Sequence, residues 1–242
     1  MVPVSLAVMK SNGIHCCVLI STGSFNPVHH SHFSNLLNVQ QHLENVQDPP
    51  WNVLAGYISP THDLYVHSKL GDSAWIPADD HCRLCDQVIQ NYEGAEVSSW
   101  ITVARGESEW SAGFVDFPPV RENLRDFLNN TLVTQEKLLK YPLRVVYACS
   151  LDHFNRCPEI KRLTESTNMA CAVVYRVGED EEQIFEATRS PNIIYVPLLD
   201  QRHTLSNLSS TQIRKYFQNP NSATEPFIYP NVYEYMSRRF QT

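Results

Sequence analysis

The sequence predicts an α/β fold, a parallel sheet with helices on both faces, and three observations carry that prediction. Short apolar runs alternate with amphipathic stretches along the 242 residues, the order expected of strand, helix and returning strand. The first apolar run, Cys16-Cys17-Val18-Leu19-Ile20, leads directly into Gly23-Ser24-Phe25-Asn26-Pro27-Val28-His29-His30-Ser31-His32. That passage reads as a strand ending in a glycine turn that opens a helix. Further on, Leu124, Phe127, Leu128 and Leu132 recur at the three-to-four spacing of one buried helical face.

Taken in order, Cys16 to Ser21 reads as a strand, Val28 to Leu43 as a helix and Val53 to Ile58 as a strand. Asp79 to Tyr92 is an amphipathic helix through Leu84, Val88 and Ile89, and Ala95 to Trp100 reads as extended. Arg121 to Leu139 is helical, Leu143 to Cys149 and Cys171 to Arg176 are strands, and Asp180 to Ala187 is a short helix. Asn192 to Leu198 is the last strand, and helices over Ser209 to Phe217 and Val232 to Phe240 close the chain. Parallel α/β sheets bind ligands outside the carboxyl ends of their strands. His29, Ser59, Trp100, Asp152 and Ser209 each fall just after an expected strand, so chemistry is expected to collect there.

Composition narrows the function classes. A formal net charge of −7 argues against a general nucleic-acid binder, whose footprint is a basic patch. No apolar stretch approaches the roughly 20 residues of a membrane helix, and Met1 to Lys10 lacks the basic-then-apolar layout of a signal peptide. Seven cysteines without such a leader point to a reducing compartment. A cytoplasmic location is therefore expected, with the nucleus left open. Cys82 and Cys85 form a lone Cys-x-x-Cys inside a helix, without a thioredoxin-like setting or a second pair for zinc, and read as buried helix cysteines. Cys16, Cys17, Cys149 and Cys171 read as core.

The chemistry-bearing stretches lie near the two ends of the chain. A turn at a strand end lets backbone N–H groups approach a phosphate, and the helix that follows presents its positive terminus. His29 and His32 lie three apart, on one helical face, and can meet the same anion, while His30 is rotated toward solvent. A zinc site is disfavoured because no nearby cysteine or carboxylate completes the ligand set. The second stretch is Leu208-Ser209-Ser210-Thr211-Gln212-Ile213-Arg214. Its hydroxyls either cap a helix or bind phosphate oxygens, and Arg214 offers a phosphate-matched fork.

On these residues the chain resembles the nicotinamide/nicotinate mononucleotide adenylyltransferases, of the wider His-x-x-His nucleotidylyltransferase superfamily. The resemblance continues through Gly56-Tyr57-Ile58-Ser59-Pro60, Asp63, Tyr65, Ile76-Pro77-Ala78, His81 and Arg83, a block similar to the eukaryotic branch. It includes Val145 to Asp152, similar to the family's strand ending in Gly-x-Asp, and spans about residues 15 to 217. It implies a Rossmann-like sheet of nucleotidylyltransferase type, in a single domain over residues 1–242 with a helical appendix from about residue 205. The implied reaction transfers the adenylyl group of ATP to nicotinamide mononucleotide (NMN) or nicotinate mononucleotide (NaMN). It forms NAD or its deamido form and pyrophosphate.

The same resemblance assigns roles. His29, His32 and Arg214 would be catalytic; Gly23, Ser24, Phe25, Lys69, Asp152, Ser209, Ser210 and Thr211 would bind ATP. Tyr65, Trp100 and Trp110 would hold the mononucleotide. Mg²⁺ would be bound through ATP phosphates and water, with no protein ligand. No nucleic acid or membrane partner is expected, and a homo-oligomer is left open. The chain departs from the family pattern in three places. Ser150 stands where the family has glycine, and a lysine-rich run is replaced by Val66-His67-Ser68-Lys69, with Lys69 the first replacement and His67 the second. A family tryptophan is also missing between Phe154 and Asn168. Two alternatives stay open: a nucleotidylyltransferase with another phosphorylated acceptor, and a weakened paralogue acting as a nucleotide-binding interaction protein.

Overall fold

A computed structural model describes residues 15–91, 93–178, 180–184, 190–198, 208–219 and 226–240. Its strands are β1 (Cys16–Gly23), β2 (Asn52–Pro60), β3 (Ile101–Val103), β4 (Arg144–Ser150), β5 (Met169–Arg176) and β6 (Ile193–Leu198). They form one six-stranded parallel sheet in the order β3-β2-β1-β4-β5-β6, and helices alternate with them, so the α/β Rossmann-like expectation holds. The helices are α1 (His30–Asn45), α2 (Asp63–Leu70), α3 (Ala78–Asn91), α4 (Gly94–Ser98), α5 (Phe117–Asn129), α6 (Leu151–Arg156), α7 (Pro158–Leu163), α8 (Ser210–Gln218) and α9 (Pro230–Phe240).

Contacts divide the chain into two compact units. The first is Met1–Ser21, Asn35–Tyr57 and Asp116–Asp200. Here β4 pairs with β1 through Cys17↔Arg144 to Ile20↔Tyr147, and β5 pairs with β4 and β6 in parallel register. Val18, Leu19, Ile20, Val145, Val146, Ala172 and Val173 are all buried, as strands covered on both faces require. Asp116 caps α5 by accepting the Phe117 N–H at 2.8 Å, and Pro118 and Pro119 supply fixed φ at its first positions. At the other end, the Asn129 side chain exchanges two hydrogen bonds with the Leu143 backbone, tying the helix to the start of β4. The helix then loosens into a π-helical turn, Asn130–Gln135, rather than running on to Leu139.

The expected buried stripe of α5 needs correcting. Phe127 is 61 % exposed, while Phe117, Arg121 and Leu128 point inward. An arginine holds an inward position that hydrophobic periodicity alone assigns to solvent. The helix expected over Asp180 to Ala187 reduces to a 3₁₀ turn, Glu181–Gln183, and residues 185–187 lie outside the described residues.

The second unit is Thr22–Ser34, Ile58–Val115 and Gln201–Thr242. The amphipathic α3 buries Ala78, His81, Cys82, Leu84, Cys85, Val88 and Ile89, so both cysteines are core residues with free thiols. The Asp63 carboxylate accepts the Ala78 N–H at 2.7 Å and fixes the start of α3. The closing helix α9 is tied down by its own polar groups: Tyr235 donates to Asp80 at 2.8 Å and Arg239 to the Trp75 carbonyl at 2.5 Å. Just ahead of it Tyr229 donates to Glu93. The onset of the C-terminal appendix near residue 205 lies outside the described residues.

Residues 94–98 form the short helix α4 where an extended segment was expected. Trp100 accordingly precedes a strand, β3, instead of following one.

Candidate functional site

The turn after β1 bends at Phe25, whose φ of 38° lies in the left-handed region that favours glycine. Gly23 itself still belongs to β1, and a Cβ there would make only ordinary contact, 3.6 Å from the Phe25 ring. The expected glycine turn therefore sits two residues later, on a phenylalanine held by its own burial. Its ring stands edge-on to His32 at 4.8 Å, while the Gly23 carbonyl accepts the Thr61 N–H. Such local strain costs about 1–3 kcal/mol and collects at functional sites.

His29 lies just before α1 and His32 in its first turn, and their ring centroids are 3.8 Å apart. The His29 backbone N–H donates to His32 Nδ1 at 3.1 Å, which leaves the far side of that ring to carry the proton. Burial drives the His29 pKa down to about 3, with His30 adding to it. Burial and then the neighbouring His29 push His32 well down as well, against the raising effect of its backbone hydrogen bond. Both imidazoles are thus neutral donors at physiological pH. His29 Nδ1 and both polar side-chain atoms of the fully buried Asn26 lack a hydrogen-bond partner among the described residues. Buried polar atoms left this way are expected to find one in a ligand or water.

Helix α8 closes onto this turn. Ser210 Oγ donates to the Pro27 carbonyl at 2.9 Å, and the Arg214 guanidinium donates to the Asn26 carbonyl and to Thr211 Oγ1, the latter at 3.0 Å. Ser209 is the N-cap: its Oγ accepts the Gln212 N–H at 3.3 Å, and Gln212 Oε1 returns the bond to the Ser209 N–H at 2.8 Å. The two stretches singled out in the sequence, 183 residues apart at Ser210 and Pro27, are joined by direct hydrogen bonds.

The remaining candidates are placed differently. Tyr65 stacks on Phe114 at 4.8 Å, and the exposed Lys69 holds its ammonium 5.8 Å from the Tyr65 ring centroid. His67 pairs with Asp72 at 2.5 Å. Trp100 is 9 % exposed and Trp110 52 %, so the first is core and the second presents a face. Asp152 belongs to the first unit, on the first turn of α6, where it pairs with Arg156 at 2.9 Å. Ser150, the departure from glycine, caps that helix by accepting the His153 N–H at 3.3 Å. His30 is not turned to solvent: it lies against Phe227 at 5.0 Å and Tyr229 at 3.8 Å.

One buried group escaped the sequence reading. Glu107 is 3 % exposed and accepts the Ser59 hydroxyl at 2.7 Å, placing a carboxylate in the loop after β3. Its only sequence signal is a glutamate between Gly106 and Ser108, in a run that looks like a solvated turn.

Among the described residues no group of three or more His, Cys, Asp or Glu is arranged to hold a metal ion. The cluster at the first turn consists of imidazoles, hydroxyls and a guanidinium, donors suited to phosphate oxygens, so Mg²⁺ fits there only as a companion of bound phosphate. No helix of the described residues is long and apolar enough to cross a membrane.

The fold is α/β and Rossmann-like, consistent with nucleotidylyltransferases. More specifically, the chain is 24% identical over 209 residues to a protein of Arabidopsis thaliana named nicotinamide/nicotinic acid mononucleotide adenylyltransferase. That alignment covers 83% of this chain and 79% of the plant protein. A protein of the same name from Oryza sativa subsp. japonica is 30% identical over 89 residues, 37% of this chain and 32% of its own length. No family model matches the chain.

Proposed function

We propose that this protein transfers the adenylyl group of ATP to NMN or NaMN, releasing pyrophosphate and forming NAD or its deamido form. The observation that carries the reading is the joining of Ser210 and Arg214 to the Asn26–Pro27 turn beside the His29–His32 pair. The names of the two plant relatives support it.

The acceptor's 5′-phosphate is already an anion, so attack on the α-phosphorus needs no general base. What the chain must supply is position and charge stabilisation. In this reading neutral His29 and His32 donate to triphosphate oxygens from a dehydrated turn, and donors fixed in advance lose nothing to reorganisation as charge grows. Arg214, already oriented by two hydrogen bonds, takes the β/γ end, with Ser209, Ser210 and Thr211 beside it. Gly23, Ser24 and Phe25 pass along the phosphates. Trp110 and Tyr65 present ring faces for the pyridine, and Trp100 supports them from the core. Mg²⁺ bound to the phosphates would neutralise charge on the departing pyrophosphate.

A second reading, a weakened paralogue that binds nucleotides, is favoured by Lys69, whose ammonium rests over the Tyr65 ring. One experiment separates the readings. The protein is incubated with ATP, Mg²⁺ and a panel of phosphorylated acceptors, and the product is identified by mass. NAD or its deamido form is expected, and His32→Ala should slow its formation by about 10²-fold, the scale of a lost preorganised donor. ATP binding without any dinucleotide supports the paralogue; a different adenylylated product supports another acceptor.

A further inference from the structure

The first unit buries a guanidinium whose Nε and Nη2 bond no anion among the described residues. Arg121, on the inward face of α5, is 1 % exposed. Its guanidinium carbon lies 4.4 Å from the centroid of the Tyr147 ring and 5.2 Å from that of Phe117. Those two rings stack at 5.4 Å, and His153 stands edge-on to both, at 6.0 and 6.1 Å. Nε and Nη2 of Arg121 are buried and lack a hydrogen-bond partner among the described residues. These two nitrogens form one edge of the planar fork, the edge that grips a carboxylate through two parallel N–H···O bonds.

Packing alone does not explain this residue. Burying a charge without a partner is strongly unfavourable, and an apolar side chain of similar size would fill the same space at no such cost. The nearby Cys149 thiol does not compensate it, because burial raises that thiol's pKa and keeps it protonated. Burial likewise draws the Arg121 pKa down, against smaller raising effects of Tyr147, Cys171, Cys149 and, last, Glu122.

The position also suits a ligand. Helix α5 runs antiparallel to β4, from Phe117 beside Tyr147 to Asn129 at Leu143. Arg121, one turn from the start, therefore lies toward the carboxyl end of β4, the end at which parallel α/β sheets bind ligands. His153, partly exposed, follows Asp152 on α6 and forms the side of the cluster nearest solvent.

We propose that the Nε–Nη2 edge of Arg121 is the seat of one flat carboxylate, received among the Phe117, Tyr147 and His153 rings. Rings cover the guanidinium face, so the partner must lie in its plane. The fork itself takes either a carboxylate or a phosphate, and the surrounding rings favour a flat aromatic carboxylate, which can stack on them, over a hydrated tetrahedral anion. The seat lies wholly within the first unit and does not depend on the adenylyl-transfer reading.

The test uses the full-length protein, Arg121→Met, Arg121→Lys, and benzoate, nicotinate, acetate and inorganic phosphate as probes. Calorimetric titration of the wild type with benzoate should show saturable binding, at least tenfold tighter than acetate and tighter than phosphate. Arg121→Met should abolish that binding yet resist urea better than the wild type without ligand, because an unpaired buried charge is gone. Arg121→Lys, a point charge without the fork, should bind at least tenfold more weakly. Absence of benzoate binding to the wild type overturns the proposal, whatever the variants do. So does phosphate binding as tight as benzoate, or an Arg121→Met protein less stable than the unliganded wild type, which marks Arg121 as structural.

Discussion

Arg214 and Arg121 show two ways in which a chain can hold a guanidinium. Arg214 is half-buried and oriented by the Asn26 carbonyl and Thr211, and burial lowers its pKa from a value so high that it stays charged. Lysine would keep the charge and lose the fork. Arg214→Lys is therefore expected to fold normally but to lose both the forward reaction and the reverse reaction from NAD and pyrophosphate, in proportion. If the residue only decorated a helix surface, both rates would stay at wild-type values and α8 would be detached from the chemistry. Measuring the two directions side by side decides it. Arg214 was legible in the sequence because it closes a run of hydroxyl residues at a helix start. Arg121 was not, since a periodicity search admits only apolar residues to the inward stripe. Glu107 was hidden for the converse reason: a carboxylate in a polar turn gives no hint that Ser59 will draw it inside.

The elements that were legible are those whose burial writes a pattern. Strands β1, β4 and β5 stood out as apolar runs because most of their residues are buried on both faces, while the edge strand β6 was legible from its apolar residues although only Ile194 and Val196 are buried. Helix α2 went unnoticed because Val66 is its only buried residue while Leu64 and Tyr65 face outward, leaving no periodicity to find. Helix α4, at five residues, is shorter than two turns, and β3 has only three residues; misreading that pair displaced Trp100 from a strand end to a strand start. Helix α8 declares itself through its capping box, Ser209 with Gln212 three residues on. That box fixes the first turn from which Ser210 and Arg214 reach back to Pro27 and Asn26. Replacing an N-cap serine by alanine costs about 1 kcal/mol. Ser209→Ala should lower the urea-unfolding free energy by that amount, and Ser209→Asp, which can still cap, should restore it. Equal stability of all three proteins would mean that the Ser209 cap does not stabilise the helix.

For the molecule as a whole, buried histidines set the acid limit. His29 and His81 are both driven to about 3 by burial; His30 adds to the effect at His29, whereas at His81 Asp80 opposes it and Arg239 reinforces it. Unfolded, each imidazole titrates near 6.5. Below that pH the unfolded chain takes up protons that the folded chain refuses, so stability is complete above about 6.5 and falls as pH drops toward 3. The slope is about 1.4 kcal/mol per pH unit for each such histidine. Urea midpoints at pH 7.5, 6 and 5 measure it, and His81→Leu should remove one proton's worth of the slope while leaving pH 7.5 little changed; an unaltered slope would mean that His81 does not titrate on unfolding. The free cysteines add a different instrument. Cys16, Cys17, Cys149 and Cys171 are buried in the first unit and Cys82 and Cys85 in the second, while Cys157 alone is partly open. Alkylation counted cysteine by cysteine thus becomes a clock with two hands. Four thiols time the opening of one unit and two time the other, and a gap between their rates is the free-energy difference by which one half of the chain breathes before its neighbour.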